Sequence, residues 1–378
     1  MHLPAMTRRG FGAAALSATA ASLIGGRALA AGTPDPSAAP ASAEKYTAPA
    51  EWEDHSCCVM SWPWDRTDGW GSLLPEAQGE IAGIARAVAA SEPVLMFAEP
   101  GQADDARALC GPAVTVVEYP VNDCWTRDTG PVFALNAART RSVGLDFGFN
   151  GWGGKYPYDK DDLLPVGVCD RLGLPRREVP LILEGGSVLT DGQGTLVTTE
   201  ECLLNPNRNP GMTRERIETT LLAAYGATKL IWLPYGLAGD TITNGHVDLV
   251  AAYLGPARIL LHTQPDPASP NHARMAANKA VLDAATDACG RRFELVEMEH
   301  QPHFRQNGLQ VETFSYTNYY LTASHVIVPL SGEPADGPAL DRLRPLFPGR
   351  QVVGTPARIL AWGGGGVHCV TQHVPRTR

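Results

Sequence analysis

Apolar residues along this chain gather in short runs bounded by glycine, proline or aspartate. Seven such runs, VLMFA (94–98), VTVVEY (114–119), TLVTT (195–199), LIWLP (230–234), ARILLH (257–262), HVIVPL (325–330) and QVVG (351–354), are dense in β-branched or apolar residues and read as strands. Helical patterns lie between them at 73–90, 212–226 and 272–290. The last two end in glycine, which readily takes the left-handed backbone just past a helix. Strand and helix alternate along the whole length, which predicts an α/β fold. DGQG (191–194), between two apolar runs, predicts a hairpin turn.

Five polar or glycine-rich stretches interrupt this pattern: NDCWTRDTGP (122–131), LEGGSVL (183–189), NGHVDL (244–249), SYTNYY (315–320) and GGGGVHC (363–369). Each reads as a strand end running into a loop, where a scaffold presents functional side chains. Together they supply three carboxylates (Asp128, Glu184, Asp248), an imidazole (His246) and a thiol (Cys369). A cysteine with a histidine is the nucleophile-and-base pair of covalent catalysis. If His246-Val247-Asp248 is extended, its period of two sends His246 and Asp248 to the same face. The same period sends His368 away from Cys369, so His246 is the better base.

Three carboxylates would raise a thiol's pKa and repel an oxyanion, an arrangement unsuited to a protease. They suit a cationic substrate. A planar guanidinium pairs with carboxylates through its fork of N–H donors, and its charge favours the thiolate. Two other classes compete. A metal hydrolase could use His246, Asp248 and Cys369, although H-x-D is a sparse signature. A guanidine- or polyamine-binding protein without catalysis would keep the carboxylates but has no need of Cys369, His246 and Glu184 together.

Composition narrows the setting. Thirty-nine glycines and 31 prolines in 378 residues favour many short elements over long helices. Residues 1–30 carry Arg8-Arg9, an alanine-rich apolar stretch and an Ala28-Leu29-Ala30 cleavage site, and read as a twin-arginine signal for export. Residues 31–45 read as a disordered Ala/Pro/Ser leader, and 46–376 as a single catalytic domain. No later segment approaches the length of a membrane span. The formal charge of −9 becomes −12 once Arg8, Arg9 and Arg27 are removed, which repels nucleic acid and attracts cations. The eight cysteines contain no C-x-x-C and show no disulfide framework.

The chain also resembles a known family over about residues 50–375. WPWDRTDGW, NDCWTRDTGP, FNGWGGKYPYDKDD, EGGSVLTDGQGTLVTTEECLLNPNRNP, NGHVD and GGGGVHCVTQ are similar to motifs of the agmatine deiminases and bacterial peptidyl-arginine deiminases. These belong to the guanidine-modifying pentein superfamily. The resemblance implies a five-bladed, pseudo-fivefold α/β propeller with its site on the central axis. It implies Cys369 as nucleophile, His246 as general acid and base, Glu184 orienting that histidine, and Asp128 and Asp248 holding the guanidinium. Trp125 would line the substrate channel and Asn318 would lie near the site. The implied partner is a cationic guanidino molecule or peptidyl-arginine, the implied product a ureido compound, and no metal or organic cofactor is needed. Oligomeric state is left open. One departure stands out: agmatine deiminases commonly read D-E-T-D-G-H-V-D, whereas this chain reads GDTITNGHVD, with Ile242 and Asn244 at two acidic positions.

Overall fold

Continuous apolar runs are the mark of strands buried on both faces, and here they pair in parallel. The computed structural model describes residues 44–65, 69–299, 304–306 and 308–378; the signal segment and nearly all of the leader lie outside them. VLMFA, TLVTT and HVIVPL are strands over the residues expected, and the other four runs differ by no more than two residues at either end. The DGQG hairpin joins Val188–Thr190 to Thr195–Thr199.

Five mixed sheets repeat one order: a short antiparallel pair, a helix, then a strand parallel to the second of the pair. Val132–Asn136 and Ser142–Gly148 pair antiparallel, and helix Leu164–Leu172 returns the chain to Arg176–Ile182. Val188–Thr190, Thr195–Thr199, helix Arg214–Tyr225 and Lys229–Leu233 repeat it. So do Ala251–Gly255, Arg258–Thr263, helix Pro270–Ala284 and Glu294–Glu299. Tyr320–Leu321, His325–Leu330, helix Asp336–Leu343 and Gln351–Pro356 form the next. In the fifth, the C-terminal strand Gln372–Pro375 pairs with His55–Ser61, followed by helix Leu74–Ala89 and Val94–Ala98. That last pairing carries Cys369 back to the N-terminal end of the described chain. A separate hairpin joins Phe304–Gln306 to Leu309–Val311. Glu44–Arg378 forms one compact unit.

Helix Leu74–Ala89 shows why the layers pack. Ala77, Ile81, Ile84, Ala85 and Val88, spaced three or four apart, are all fully buried, so one face lies against the sheets. Helix Arg214–Tyr225 ends as expected, with Gly226 left-handed at φ 66°. The helix expected over 272–290 starts two residues earlier and stops at Ala284. Ala285 turns extended, and the Asp287 side chain gathers the amides of Cys289 and Arg291 into a turn that competes with further helix. Among the described residues, no helix is long and apolar enough to cross a membrane.

Candidate active site

Each of the five interrupted stretches leads into the first strand of one of the five sheets; 183–189 also runs directly from the end of a strand, Arg176–Ile182, whereas the other four do not start at a strand end. Three of the five close into a single helical turn before that strand: Thr126–Thr129, Gly185–Ser187 and Val247–Leu249. The remaining two form open turns before Tyr320–Leu321 and Gln372–Pro375. The extended reading of His246-Val247-Asp248 is therefore corrected. His246 is extended, but Asp248 sits in a 3-10 turn, and both side chains reach the Gly186 position by way of that turn rather than by strand alternation.

The stretches converge on Gly186. A methyl group placed there would lie 2.8 Å from Asp128 Oδ1, from Asp248 Oδ2 and from His246 Nδ1. The Gly186 amide donates to Asp128 Oδ1 at 3.0 Å. Gly186→Ala is accordingly expected to fold yet lose about 100-fold in kcat/KM, because a displacement near 1 Å at a reacting group costs about that much. Steady-state kinetics, beside a thermal transition that stays cooperative though its midpoint falls, would check it.

Cys369 is buried. Its Sγ lies 3.5 Å from Asp248 Oδ2, and it accepts from Asn318 Nδ2 at 3.3 Å. Asn318 Oδ1 in turn accepts the amides of His368 (3.0 Å) and Cys369 (3.4 Å), so Asn318 shapes the turn that carries the sulfur. Burial, then the charges of Asp248 and Asp128, push the thiol well above its usual range. The four glycines before it pack closely against neighbours. A side chain at Gly363 would strike Trp70, and one at Gly364 would strike Ile242. At Gly365 it would meet Trp125 and Cys369, and at Gly366 the Asn318 side chain. Gly364 also takes φ +100°, which other residues adopt only under strain.

His246 is fully buried. Its Nε2 faces Glu184 Oε2 at 3.4 Å, while Nδ1 points at Asp128 Oδ1 at 3.8 Å and makes no hydrogen bond among the described residues. Burial opposes charge on this ring, but Asp128, Cys202 and Glu184 outweigh it and hold the imidazole pKa well above its usual range. Glu184 is anchored by Arg208, whose Nε donates to Oε1 at 2.7 Å. Burial would raise the Glu184 carboxyl, yet His246 and Arg208 hold it below the ordinary value.

Asp128 Oδ2 accepts from Trp152 Nε1 at 2.9 Å. Trp152 takes a left-handed backbone at φ 53° within the Gly-Trp-Gly-Gly turn, a strained conformation that aims its indole at this carboxylate. Burial, with Asp248 and Glu184 nearby, pushes Asp128 up to about 6 despite the opposing pull of His246. Asp248 Oδ1 is buried without a hydrogen-bond partner among the described residues. Its Oδ2 is bound by His368 Nδ1 at 2.9 Å.

The residue order disfavours His368 as the base, and its two ring nitrogens are both engaged by carboxylates rather than by the sulfur. It has another place. His368 Nε2 reaches both oxygens of Glu51, at 2.9 and 3.0 Å, so both ring nitrogens face carboxylates and the ring is held as a cation bracing Asp248. Burial and Arg127 oppose that charge; Glu51 and Asp248 prevail. Glu51 also pairs with Arg127 at 3.0 Å, and the Arg127 amide donates to the Cys369 carbonyl. Arg208, Trp152 and Cys202 carried no local signal in the sequence beyond membership of the quoted motifs, and Glu51 lies outside all of those motifs.

A cavity of about 460 Å³ opens over this cluster, with Cys369 and Asp128 in its lining. Trp125 forms part of the wall, stacked on Trp70 with ring centres 5.9 Å apart. Asp123 receives both indole N–H groups at 2.9 Å. Ile242 lines the cavity too, as an apolar wall. Asn244 does not: its Oδ1 accepts from Lys155, Asn207 and Arg208, fixing the loop behind the site. Among the described residues, the group that could hold a metal is Glu184, Cys202 and His246, not the trio of His246, Asp248 and Cys369. Arg208 already occupies one Glu184 oxygen and sets a positive charge where a cation would sit.

A thiol against one carboxylate, with a second carboxylate and a proton-bearing imidazole meeting at the same glycine, can attack and hydrolyse a planar cation. Known proteins point the same way. The profile of the Porphyromonas-type peptidyl-arginine deiminases matches residues 47–375. A Legionella pneumophila protein named "Putative agmatine deiminase" is 38% identical over 333 residues, covering 87% of this chain and 94% of the relative. A Streptomyces coelicolor protein of the same name is 39% identical over 338 residues, covering 88% and 99%. Among solved structures, the agmatine deiminase of Enterococcus faecalis superposes with a TM-score of 0.82 at 32% identity, covering 88% of this chain and 96% of that one. Matched from its first strand to its last, the chain belongs to the Porphyromonas-type peptidyl-arginine deiminase family.

Proposed function

We propose that this protein is a hydrolase of C–N amidine bonds that deiminates a guanidino compound, agmatine first among them, to a ureido product and ammonia. The observation that carries the reading is the Cys369 sulfur beside Asp248 at the floor of an aromatic cavity, with Asp128 and His246 Nδ1 converging on Gly186.

The roles follow from the geometry. A guanidinium entering between Asp128 and Asp248 offers N–H donors to both carboxylates, and Asp248 Oδ1 is the acceptor with no other partner among the described residues. Its charge offsets the carboxylates that hold the thiol protonated, so substrate binding itself favours the thiolate. The thiol proton has an acceptor in Asp248 Oδ2, and sulfur then bonds to the guanidinium carbon. His246 gives its proton to the departing nitrogen, ammonia leaves, and a thiouronium remains on Cys369. Neutral His246 next takes a proton from water and hydroxide adds to the same carbon; the C–S bond then breaks as the hydroxyl proton passes to solvent and Cys369 recovers its proton from Asp248, releasing the ureido product. Glu184, fixed by Arg208, keeps Nε2 occupied so that Nδ1 is the nitrogen facing the reaction.

In this reading the five sheets are the blades of a pseudo-fivefold propeller; the shared strand order and the five converging loops support it. The Arg8-Arg9 leader supports export. The deciding test is a panel of agmatine, free arginine, guanidinobutyrate and a peptide with C-terminal arginine, assayed for ureido product and ammonia. Agmatine is expected to be turned over best. Preference for the peptide would assign citrulline formation instead, and no turnover of any guanidine would overturn the hydrolase reading.

A further inference from the structure

Five carboxylates line the cavity: Asp65, Asp123, Asp128, Asp161 and Glu312. Asp128 belongs to the reacting cluster. Asp123 is engaged by Trp70, Trp125 and the Cys124 amide. Asp161 accepts the Asn122 amide at 2.8 Å and is driven well above the usual carboxylate range by burial. Glu312 is different. It follows the Leu309–Val311 strand of the separate hairpin, is half-buried, and has no lysine or arginine within ion-pair distance among the described residues. Its Oε1 accepts only a neutral donor, Gln310 Nε2 at 2.8 Å, and its Oε2 packs on the backbone of Gly239 so tightly that no side chain would fit there.

The wall behind Glu312 is held firmly. Lys155 Nζ donates to the carbonyls of Thr241 (2.7 Å) and Ile242 (2.6 Å) and to Asn244 Oδ1 (2.7 Å), which pins the loop running from Gly239 to Asn244. Contacts along this wall lead from the sulfur outward. Gly365 lies against Cys369, Gly364 against Ile242, and the Ile242 loop carries Gly239 and so meets Glu312. The cavity therefore has a cation-binding end at Cys369, an apolar middle that includes Ile242 and Trp362, and a second carboxylate beyond it.

We propose that Glu312 is a specificity-determining residue that holds a cationic group at the far end of the substrate. It thereby selects a guanidine with a distal ammonium over one with a distal carboxylate. This rests on the deiminase reading above and sharpens it. A carboxylate without a compensating cation, facing the same cavity as the nucleophile, attracts an ammonium and repels the carboxylate of arginine or guanidinobutyrate.

The test compares kcat/KM for agmatine and guanidinobutyrate in the full chain, in Glu312→Gln and in Asp65→Asn. Glu312→Gln is expected to lose 10- to 100-fold on agmatine, chiefly through KM with kcat changed by only about threefold, as for a binding contact common to ground and transition states. Its agmatine-to-guanidinobutyrate ratio should fall by at least that factor, while Asp65→Asn keeps the ratio. Glu312→Asp, which keeps the charge, should restore part of the loss, and thermal midpoints would show that each variant folds. An unchanged ratio in Glu312→Gln, or loss of selectivity in Asp65→Asn alone, would overturn the assignment and leave the deiminase reading standing. If the wild-type protein turned over no guanidine, both would fall.

Discussion

Replacing Cys369 by alanine is expected to abolish ammonia release from guanidines, a loss of at least about 10⁴-fold, while leaving the substrate bound. Losses of that size follow when the nucleophile of a covalent mechanism is removed and only binding and electrostatic stabilisation remain. No other thiol can stand in. Cys202 is fully buried beside Glu184, 3.8 Å from Oε2, and does not line the cavity. The carboxylates that would hold the guanidinium are untouched by the substitution, so calorimetric titration should show agmatine binding to Cys369→Ala. Alanine also fits without strain: the turn at Cys369 is set by its amide and carbonyl, held by Asn318 and Arg127. A variant that keeps more than a tenth of wild-type turnover would show that sulfur is not the attacking atom. A catalytically silent guanidine binder would show no turnover in either protein.

The second large effect concerns Asp128 and carries a pH signature. Burial lifts this carboxyl to about 6, so in the free protein it gains a proton as pH falls through that value. Only the ionised form grips a guanidinium. The sign is therefore fixed: kcat/KM should be level above pH 7 on this account and fall about tenfold per unit below pH 6. The guanidinium, once bound, favours the ionised form, so the acid limb of kcat should lie at lower pH than that of kcat/KM. Asp128→Asn keeps the shape of the side chain but removes the charge, and its one amide oxygen can accept from only one of the two donors, the Gly186 amide or the Trp152 indole, that the carboxylate serves. It is expected to lose about 10³-fold in kcat/KM and to lose the acid limb near 6. A pH profile unchanged in the variant would assign that limb to another group.

Much of the scaffold could be read along the chain because buried parallel strands are continuous apolar runs. Val94–Ala98, Thr195–Thr199 and His325–Leu330 announce themselves in this way. Their short antiparallel partners do not. Tyr320–Leu321 has two residues and Val188–Thr190 three, too few for a pattern of period two to stand out from a loop. The helix over 270–284 was overrun for the opposite reason: its apolar spacing continues, and only the Asp287 side-chain bonds end it.

The chemistry divides along similar lines. Cys369, His246, Asp128, Glu184 and Asp248 were visible because polar residues in otherwise apolar stretches need a cause, and Asn318 and Trp125 came with the motifs around them. Asn244 shows the reverse. It stands where the family commonly has an acidic residue, yet its side chain serves Lys155 and Arg208 behind the wall. Ile242 does face the cavity, and the carboxylate nearest in purpose, Glu312, stands 70 residues away, just past the Leu309–Val311 strand.

By itself, then, the order of residues determined the alternation of strand and helix, the groups available for chemistry and the cationic character of what they would bind, since these depend on local periodicity and on residue type. Only the tertiary structure decided which groups meet. It set Nδ1 rather than Nε2 of His246 toward Asp128, gave His368 to Asp248, and bound Glu184 to Arg208. Glu51 and His368 lie 317 positions apart and touch because the last strand pairs with His55–Ser61. The four glycines before Cys369 belong to both accounts. Their lack of side chains is plain in sequence, but the reason, close packing on Trp70, Ile242, Trp125 and Asn318, exists only once distant loops are brought into contact.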